Sequence, residues 1–368
     1  MPNFDLIQSR GHEGVFFCSN PEVGLKAIIA IHDTTLGPAL GGCRMKSYAS
    51  ETEALVDVLR LSRAMSYKSS VAGLNLGGGK SVVILERPEQ KTPELLRAFA
   101  ERINLLHGSY IGAGDVGSDT HDLNIMHQVC PYITGLDVEN GGLGDSSILT
   151  ALGVFRGIQA AVQERLGRTE MDGLKIAIQG AGKVGFHLIE HLLGAGCEIF
   201  ISDINEQALA HVKEHYPSVT TCKTLELYDK EVDVFSPNAI GGTIDEGVAH
   251  GLKAKILAGG ANNPLSNENA AKILHERNIL YAPDFVINSG GVIMVAFELE
   301  KKTFAEAKAK TLEIHETTLR VFEFAKRNSL LPWEAAQKLA MNRIEEAKSK
   351  GRHYEKNPKW SDRPTIYS

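Results

Sequence analysis

The chain predicts an α/β protein of two domains. Three observations carry that expectation: a length of 368 residues, more than one hydrophobic core usually serves; strand-like and helix-like apolar periods along the chain; and a regular strand-helix alternation in its second half. Composition agrees, because 43% hydrophobic and 23% charged residues match soluble globular averages. The formal charge of -6 is mixed along the sequence without basic runs, which argues against nucleic acid as a partner. No apolar run approaches the roughly 20 residues that span a bilayer, and Met1 to Arg10 lacks the basic and apolar regions of a secretory leader. A cytoplasmic protein with no membrane partner is expected. Five scattered cysteines, with no CxxC pair, read as reduced thiols.

The elements follow in order. Gly24 to Thr34 (GLKAIIAIHDT) and Ser81 to Leu85 (SVVIL) are β-rich apolar runs. Between them Ala54, Leu55, Val58, Leu61 and Met65 recur at helical spacing, opened by Ser50 and Glu53 in capping-box relation. Thr92 caps a second helix over Pro93 to Leu106. Ser147 to Arg165 predicts a long amphipathic helix, and Asp172-Gly173 turns the chain into a new unit. There Leu174 to Gln179, Val184 to Leu193, Glu198 to Ser202 and Glu206 to His215 alternate as strand and helix, with later strands at Val232 to Phe235, Ala254 to Leu257 and Ile279 to Tyr281. That alternation marks a parallel, doubly wound sheet. Thr303 to Asn328 and Pro332 to Lys350 read as two long helices, and Gly351 to Ser368 as an extended tail. The expected division is residues 1–135, joined by the returning end at about 331–368, and residues 136–330.

Gly180-Ala181-Gly182-Lys183-Val184-Gly185 follows an apolar strand and opens a helix, the context that a GxGxxG dinucleotide fingerprint requires. The glycines serve a tight turn, close approach to a pyrophosphate and helix-strand packing, while the helix N-terminus supplies amide donors. Asp203 lies 18 residues beyond Gly185, at the end of the next strand, where a carboxylate accepts from ribose hydroxyls and repels a 2′-phosphate. A Rossmann domain that binds NAD is therefore expected. Lys183 faces either solvent or the pyrophosphate. His187 and His191 are four apart on the same helix, but no third ligand is evident and no metal is expected.

Gly77-Gly78-Gly79-Lys80-Ser81 ends like a P-loop, yet position 74 is leucine where a glycine is needed, and a strand follows where a helix should start. A lysine beside glycines instead suits an amine in a tight, water-poor pocket, where desolvation depresses its pKa and makes it a base. The chain resembles the glutamate/leucine/phenylalanine/valine dehydrogenase superfamily, and is most similar to its leucine and valine dehydrogenase members. The resemblance rests on KAIIAIHDTTLGPALGGCRM (Lys26 to Met45), MSYKSSVAGLNLGGGKSVVI (Met65 to Ile84), GDVGSD (Gly114 to Asp119), GGLGDSSILTALGVFRG (Gly141 to Gly157), QGAGKVG (Gln179 to Gly185), GGANNPL (Gly259 to Leu265) and YAPDFVINSGGVI (Tyr281 to Ile293).

The resemblance implies an N-terminal substrate and oligomerisation domain, a Rossmann NAD-binding domain, and reversible oxidative deamination of a branched-chain L-amino acid to its 2-oxo acid and ammonia. It implies that Lys68 pairs with the substrate carboxylate, Lys80 activates water, and Asp115 accepts the amino group's proton. Asn262 matches a residue near the carboxylate and nicotinamide, and Ile204, Ala239 and Asn288 join the cofactor set. The side-chain pocket maps to Leu40, Ala113, Thr134, Val292 and Val295, with Gly41 and Met65 close by. These are small or medium residues with no basic group for a second carboxylate, so an aliphatic substrate is favoured over glutamate. Two departures stand out: Met294 and Phe297 replace polar residues of the family pattern, and Ser118 to Asn124 differs from the usual threonine-rich segment. A phenylalanine-preferring enzyme and a catalytically silent NAD-binding regulator are the alternatives. A homo-oligomer, from dimer to octamer, is implied.

Overall fold

The structure is a computed structural model and describes residues 3–351; the tail expected beyond Gly351 lies outside them. Contacts divide the described residues into two units, one of 3–145, Val295–Thr303 and 340–351, the other of Ser146–Met294 and Phe304–Leu339.

Unit 1 runs α1 (Asn3–Ser9), β1 (Gly14–Asn20), β2 (Leu25–Asp33), β3 (Ala39–Lys46), α2 (Glu51–Val71), β4 (Gly77–Ile84), α3 (Pro93–Asn104), β5 (Tyr110–Gly114) and α4 (Thr120–His127). Its sheet has the order β1-β2-β4-β3-β5, antiparallel through β4 and parallel from β4 to β5. Both faces of β2 are covered, which is why it reads as an unbroken apolar run. Ile28, Ala30 and Val82 meet Leu55, Val58 and Leu59 of α2. Ile29, Ile31 and Val83 join a cluster with Leu95, Leu96 and Phe99 of α3. Ser50 caps α2 by accepting from the Glu53 amide, and Thr92 caps α3 through the Leu95 amide, as their spacing in the chain predicts. The glycine run was expected to precede a strand; it is instead the start of β4, so Lys80 is a strand residue.

Unit 2 runs α5 (Ser147–Leu166), β6 (Lys175–Gln179), α6 (Lys183–Gly194), β7 (Glu198–Ser202), α7 (Glu206–His215), β8 (Thr220–Thr221), α8 (Thr224–Tyr228), β9 (Val232–Pro237), α9 (Glu246–Gly251), β10 (Ala254–Leu257), α10 (Glu268–Glu276), β11 (Leu280–Tyr281) and α11 (Asp284–Ile287). Its six strands are all parallel, in the order β11-β10-β9-β6-β7-β8. The order reverses at β6, so the loops after β6 and β9 flank a topological switch point, the place where open α/β sheets bind ligands.

Helices α12 (Gly290–Leu299), α13 (Phe304–Leu312), α14 (Ile314–Asn328) and α15 (Pro332–Ser349) complete the chain. The chain passes from unit 2 to unit 1 within α12, at Val295, returns at Phe304, and passes to unit 1 again within α15, at Ala340. The single long helix expected over Thr303 to Asn328 is broken at Glu313, and the Leu312 carbonyl freed by the break accepts from the Arg156 side chain at 3.3 Å.

Candidate active site

The first site is built on the α2 face of the unit 1 sheet. Strand alternation and register place Leu40, Gly42 and Arg44 of β3, Gly78 and Lys80 of β4, Ala113 of β5 and the following Asp115 on that one face. Absent side chains make the room. Gly78 abuts Ser66 of α2, and a methyl at Gly42 would stand 2.7 Å from Asp115 Cβ and 3.0 Å from Lys80 Nζ. The glycine run thus lets a helix and a carboxylate close over a strand lysine.

Lys80 Nζ lies 3.1 Å from Asp115 Oδ2, and their side chains are only 6% and 17% exposed. Arg44 Nε donates to the same Asp115 oxygen at 2.7 Å, and Arg44 Nη1 donates to Asp57 Oδ2 at 2.9 Å. Asp57 also accepts from Arg60 and from the Tyr48 hydroxyl, each at 3.0 Å. Burial pushes the Lys80 ammonium below its ordinary pKa; Asp115 opposes that shift and Arg44 reinforces it. Burial alone would raise Asp115, but Lys80 and Arg44 outweigh it and hold the carboxyl below its ordinary value. The result is a lysine disposed to lose its proton beside a carboxylate that stays ionised.

Ser118 supplies the support. Its hydroxyl accepts from the Asp115 amide at 3.0 Å and donates to the Cys43 carbonyl at 2.8 Å. Asp119 and Asp122 form a capping box at the start of α4, and Lys91 pairs with Asp122 at 2.6 Å. The unusual Ser118 to Asn124 segment is therefore a helix cap that pins the Asp115 loop.

Lys68 and Met65 lie three residues apart on α2, both half-buried. Leu40, Ala113 and Thr134 are buried, and the Thr134 hydroxyl donates to Glu298 Oε1 at 2.8 Å. Glu298 also accepts from the amides of Gly135, Leu136 and Leu143, so its charge is spent within unit 1. Gly41 projects to the opposite face, where its carbonyl accepts from Tyr110 at 2.8 Å. Val292 is buried in unit 2 and Val295 is half-buried in unit 1. Met294 is buried in unit 2, while Phe297 carries the Lys302 ammonium over its ring at 4.5 Å.

The second site lies at the switch point of unit 2. Gly180 has φ +106°, open only to glycine, and a Cβ there would meet the Asn238-Ala239 peptide. A Cβ at Gly185 would strike the Gly180 carbonyl, whereas one at Gly182, the N-cap of α6, would meet nothing within 4 Å. Asp203 Oδ2 accepts from the Ala181 amide at 2.6 Å, and Oδ1 from the Asn205 amide at 2.8 Å. Ile204 beside it is 95% exposed, Ala239 is exposed, and Lys183 and Val184 begin α6. Asn288 Nδ2 donates to Asn262 Oδ1 at 2.9 Å and to the Gly260 carbonyl at 3.1 Å, while its Oδ1 is buried without a partner. Open space over a helix start, a carboxylate at the next strand and an orphaned acceptor fit a dinucleotide. His191, by contrast, stacks on Phe155 at 5.4 Å, the role of an aromatic packing residue.

Arg44, Asp57 and Glu298 were not singled out from sequence, and Ser118 only as the start of a departing segment, without a role. The signal for Arg44 was its place two residues past the Gly41-Gly42 pair, in a strand buried on the same face as Lys80.

The family model for the Glu/Leu/Phe/Val dehydrogenase dimerisation domain matches residues 12–132, and that for Glutamate/Leucine/Phenylalanine/Valine dehydrogenase matches 200–351. Valine dehydrogenase of Streptomyces virginiae is 44% identical over 340 residues, covering 92% of this chain and 95% of that one. Leucine dehydrogenase of Geobacillus stearothermophilus is 44% identical over 345 residues, covering 94% of each. The crystal structure of L-tryptophan dehydrogenase from Nostoc punctiforme superposes with a TM-score of 0.82 at 39% identity, covering 94% of this chain and 99% of that one. An α/β fold with these two sites is that of an amino-acid dehydrogenase. The chain belongs to the Glu/Leu/Phe/Val dehydrogenase family.

Proposed function

We propose that the protein catalyses the reversible, NAD-linked oxidative deamination of a branched-chain L-amino acid: amino acid, water and NAD+ give 2-oxo acid, ammonia, NADH and a proton. The observation that carries this reading is the buried Lys80, 3.1 Å from Asp115. NAD, when bound, supplies the hydride acceptor. Unit 2 would hold it with the α6 start at Gly182, with Asp203 on the adenosine ribose, and with Asn262 and Asn288 toward the nicotinamide.

Unit 1 would handle the protons. Loss of hydride from Cα leaves an iminium that water must attack, and a neutral Lys80 takes the proton from that water. Asp115, held ionised by its two cations, accepts a hydrogen bond from the substrate amine and passes the proton as the C–N bond breaks. Lys68 would anchor the substrate carboxylate. The side chain would meet Leu40, Met65 and Ala113, with the Thr134 hydroxyl already committed to Glu298. Such an apolar wall separates aliphatic substrates by only about 1–3 kcal/mol per methylene, so leucine, valine and isoleucine should all turn over.

A symmetric homo-oligomer fits the edge position of β1, whose Phe16 and Phe17 are 40% and 58% exposed. A cytoplasmic location fits five cysteines of which none forms a disulfide among the described residues.

The test is NADH oxidation with ammonia and a panel of 2-oxo acids, repeated for Lys80→Ala. Branched-chain 2-oxo acids should be preferred, and Lys80→Ala should lose about 10²- to 10⁴-fold in kcat while still binding NADH. Preference for phenylpyruvate would move the assignment to an aromatic substrate. NADH binding with no 2-oxo-acid-dependent turnover would make the chain a silent binder.

A further inference from the structure

Among the described residues, one group of side chains is placed to hold a metal ion: His211, Glu214 and His215, whose ligand atoms lie within 4.8 Å of one another. All three are exposed on the last turns of α7 (Glu206–His215), where residues three and four apart share a face. The geometry points to a divalent transition-metal site of the zinc class on this helix, distinct from both sites described above.

Four features support it. First, His215 Nδ1 lies 3.0 Å from the His211 carbonyl. A carbonyl can only accept, so Nδ1 carries the proton and Nε2 is left as the lone-pair donor; such second-partner contacts orient metal-binding imidazoles. Second, Phe186 backs both rings on one side, stacking on His211 at 4.8 Å and 20° and meeting the edge of His215 at 5.6 Å. Third, Lys213, the cation in the same turn, is drawn away: its ammonium donates to the carbonyls of Pro217 and Val219 at 2.8 and 2.9 Å. Fourth, the donor set of two imidazoles and one carboxylate selects zinc, nickel, cobalt or copper over magnesium and calcium, which favour all-oxygen shells.

Tetrahedral zinc at about 2.0–2.1 Å from each ligand needs donors about 3.3 Å apart. The side chains must therefore draw together by up to ~1.5 Å, which exposed rotamers on a helix surface permit. The sequence expectation of no metal weighed His187 and His191, where one ring is occupied by Phe155. Three protein ligands leave one position to water, but all three stand exposed on the helix surface. It is a binding site rather than a hydrolytic centre, and its effect is to cross-link the C-terminal turns of α7.

The experiment uses the full chain stripped of metal with a chelator, titrated with Zn2+ by calorimetry and followed in parallel by its melting temperature. One zinc per chain should bind and raise Tm. His211→Ala and His215→Ala should each weaken it at least ~10-fold, and Glu214→Gln by less. The exposed His250→Ala should change nothing. Binding and the Tm rise persisting in the His211→Ala/His215→Ala double variant would overturn the site, as would the lack of a saturable site in the wild type. An equal Tm rise with magnesium would overturn the assigned metal class.

Discussion

A single residue, Arg44, biases the protonation states that burial and mutual pairing set for Lys80 and Asp115. It touches Asp115 but not Lys80, and its charge lowers both of their pKa values. In Arg44→Met that influence disappears and both groups become more basic. The acid limb of the kcat/KM profile should therefore move to higher pH, and kcat at neutral pH should fall, because less of Lys80 is deprotonated. Removing one partner of this half-buried cluster should also destabilise unit 1 by about 1–3 kcal/mol. An unmoved acid limb in a folded variant would show that Arg44 is only structural. Asp203 presents a similar question in unit 2, because its two oxygens already hold the amides of Ala181 and Asn205. Asp203→Ala should lower the ratio of NAD to NADP kcat/KM by at least ~10-fold, through lost ribose contact and relieved repulsion of a 2′-phosphate. Asp203→Asn keeps an acceptor but drops the charge, so an intermediate ratio is expected from the same assay.

Elements carry these residues, and strand register is what brings Lys80 and Asp115 together. The methyl of Gly42→Ala would project between them, 2.7 Å from Asp115 Cβ and 3.0 Å from Lys80 Nζ. We expect that variant to lose about 10²-fold or more in kcat, as misplacement by an ångström can, with the NADH dissociation constant unchanged. Wild-type turnover in Gly42→Ala would mean that the pair is not the proton-handling site. This dependence on register explains what the chain revealed in advance. The unit 2 alternation and the GxGxxG turn were readable because they are built from local strand-turn-helix segments, and Asp203 was readable by its fixed spacing, 18 residues past Gly185 at the end of β7. The caps Ser50 and Thr92 were readable for the same reason. Strand β3 escaped notice because Gly41 and Gly42 break its apolar alternation. Arg44 escaped because its partner Asp115 is brought to it only by β3-β5 pairing across 71 residues of chain, and the role of Ser118 escaped because its bond to the Cys43 carbonyl spans 75. The break at Glu313 has no glycine or proline to signal it, and the Arg156 side chain that takes the freed Leu312 carbonyl lies 156 residues away in the chain.

For the molecule as a whole, the two described histidines pushed furthest down lie in unit 1, away from Lys80 and Asp115. His12 and His32 meet edge to face at 4.9 Å, and each ring bonds a serine hydroxyl of α2, Ser62 and Ser66, at 2.8 Å. Burial pushes both down to about 4 from 6.5, and nearby cations, Arg63 for both and Lys348 for His32, add to the shift while Asp33 opposes it at His32. Because the folded values are depressed, the unfolded chain binds more protons between pH 6.5 and about 4. Stability therefore rises with pH across that window and is lost as pH falls through it. Asp57 and Asp115 are also depressed, but from the ordinary carboxylate value of 3.8, so their contribution is present above that value and fails only at lower pH. The two windows separate. Calorimetric Tm measured from pH 7 downward should begin to drop near 6.5, well before carboxylates titrate. In His12→Asn/His32→Gln the slope above pH 4 should flatten, whereas the steeper loss below 3.8 should remain. If the double variant kept the wild-type slope above pH 4, the histidine pair would not be the source of that acid sensitivity.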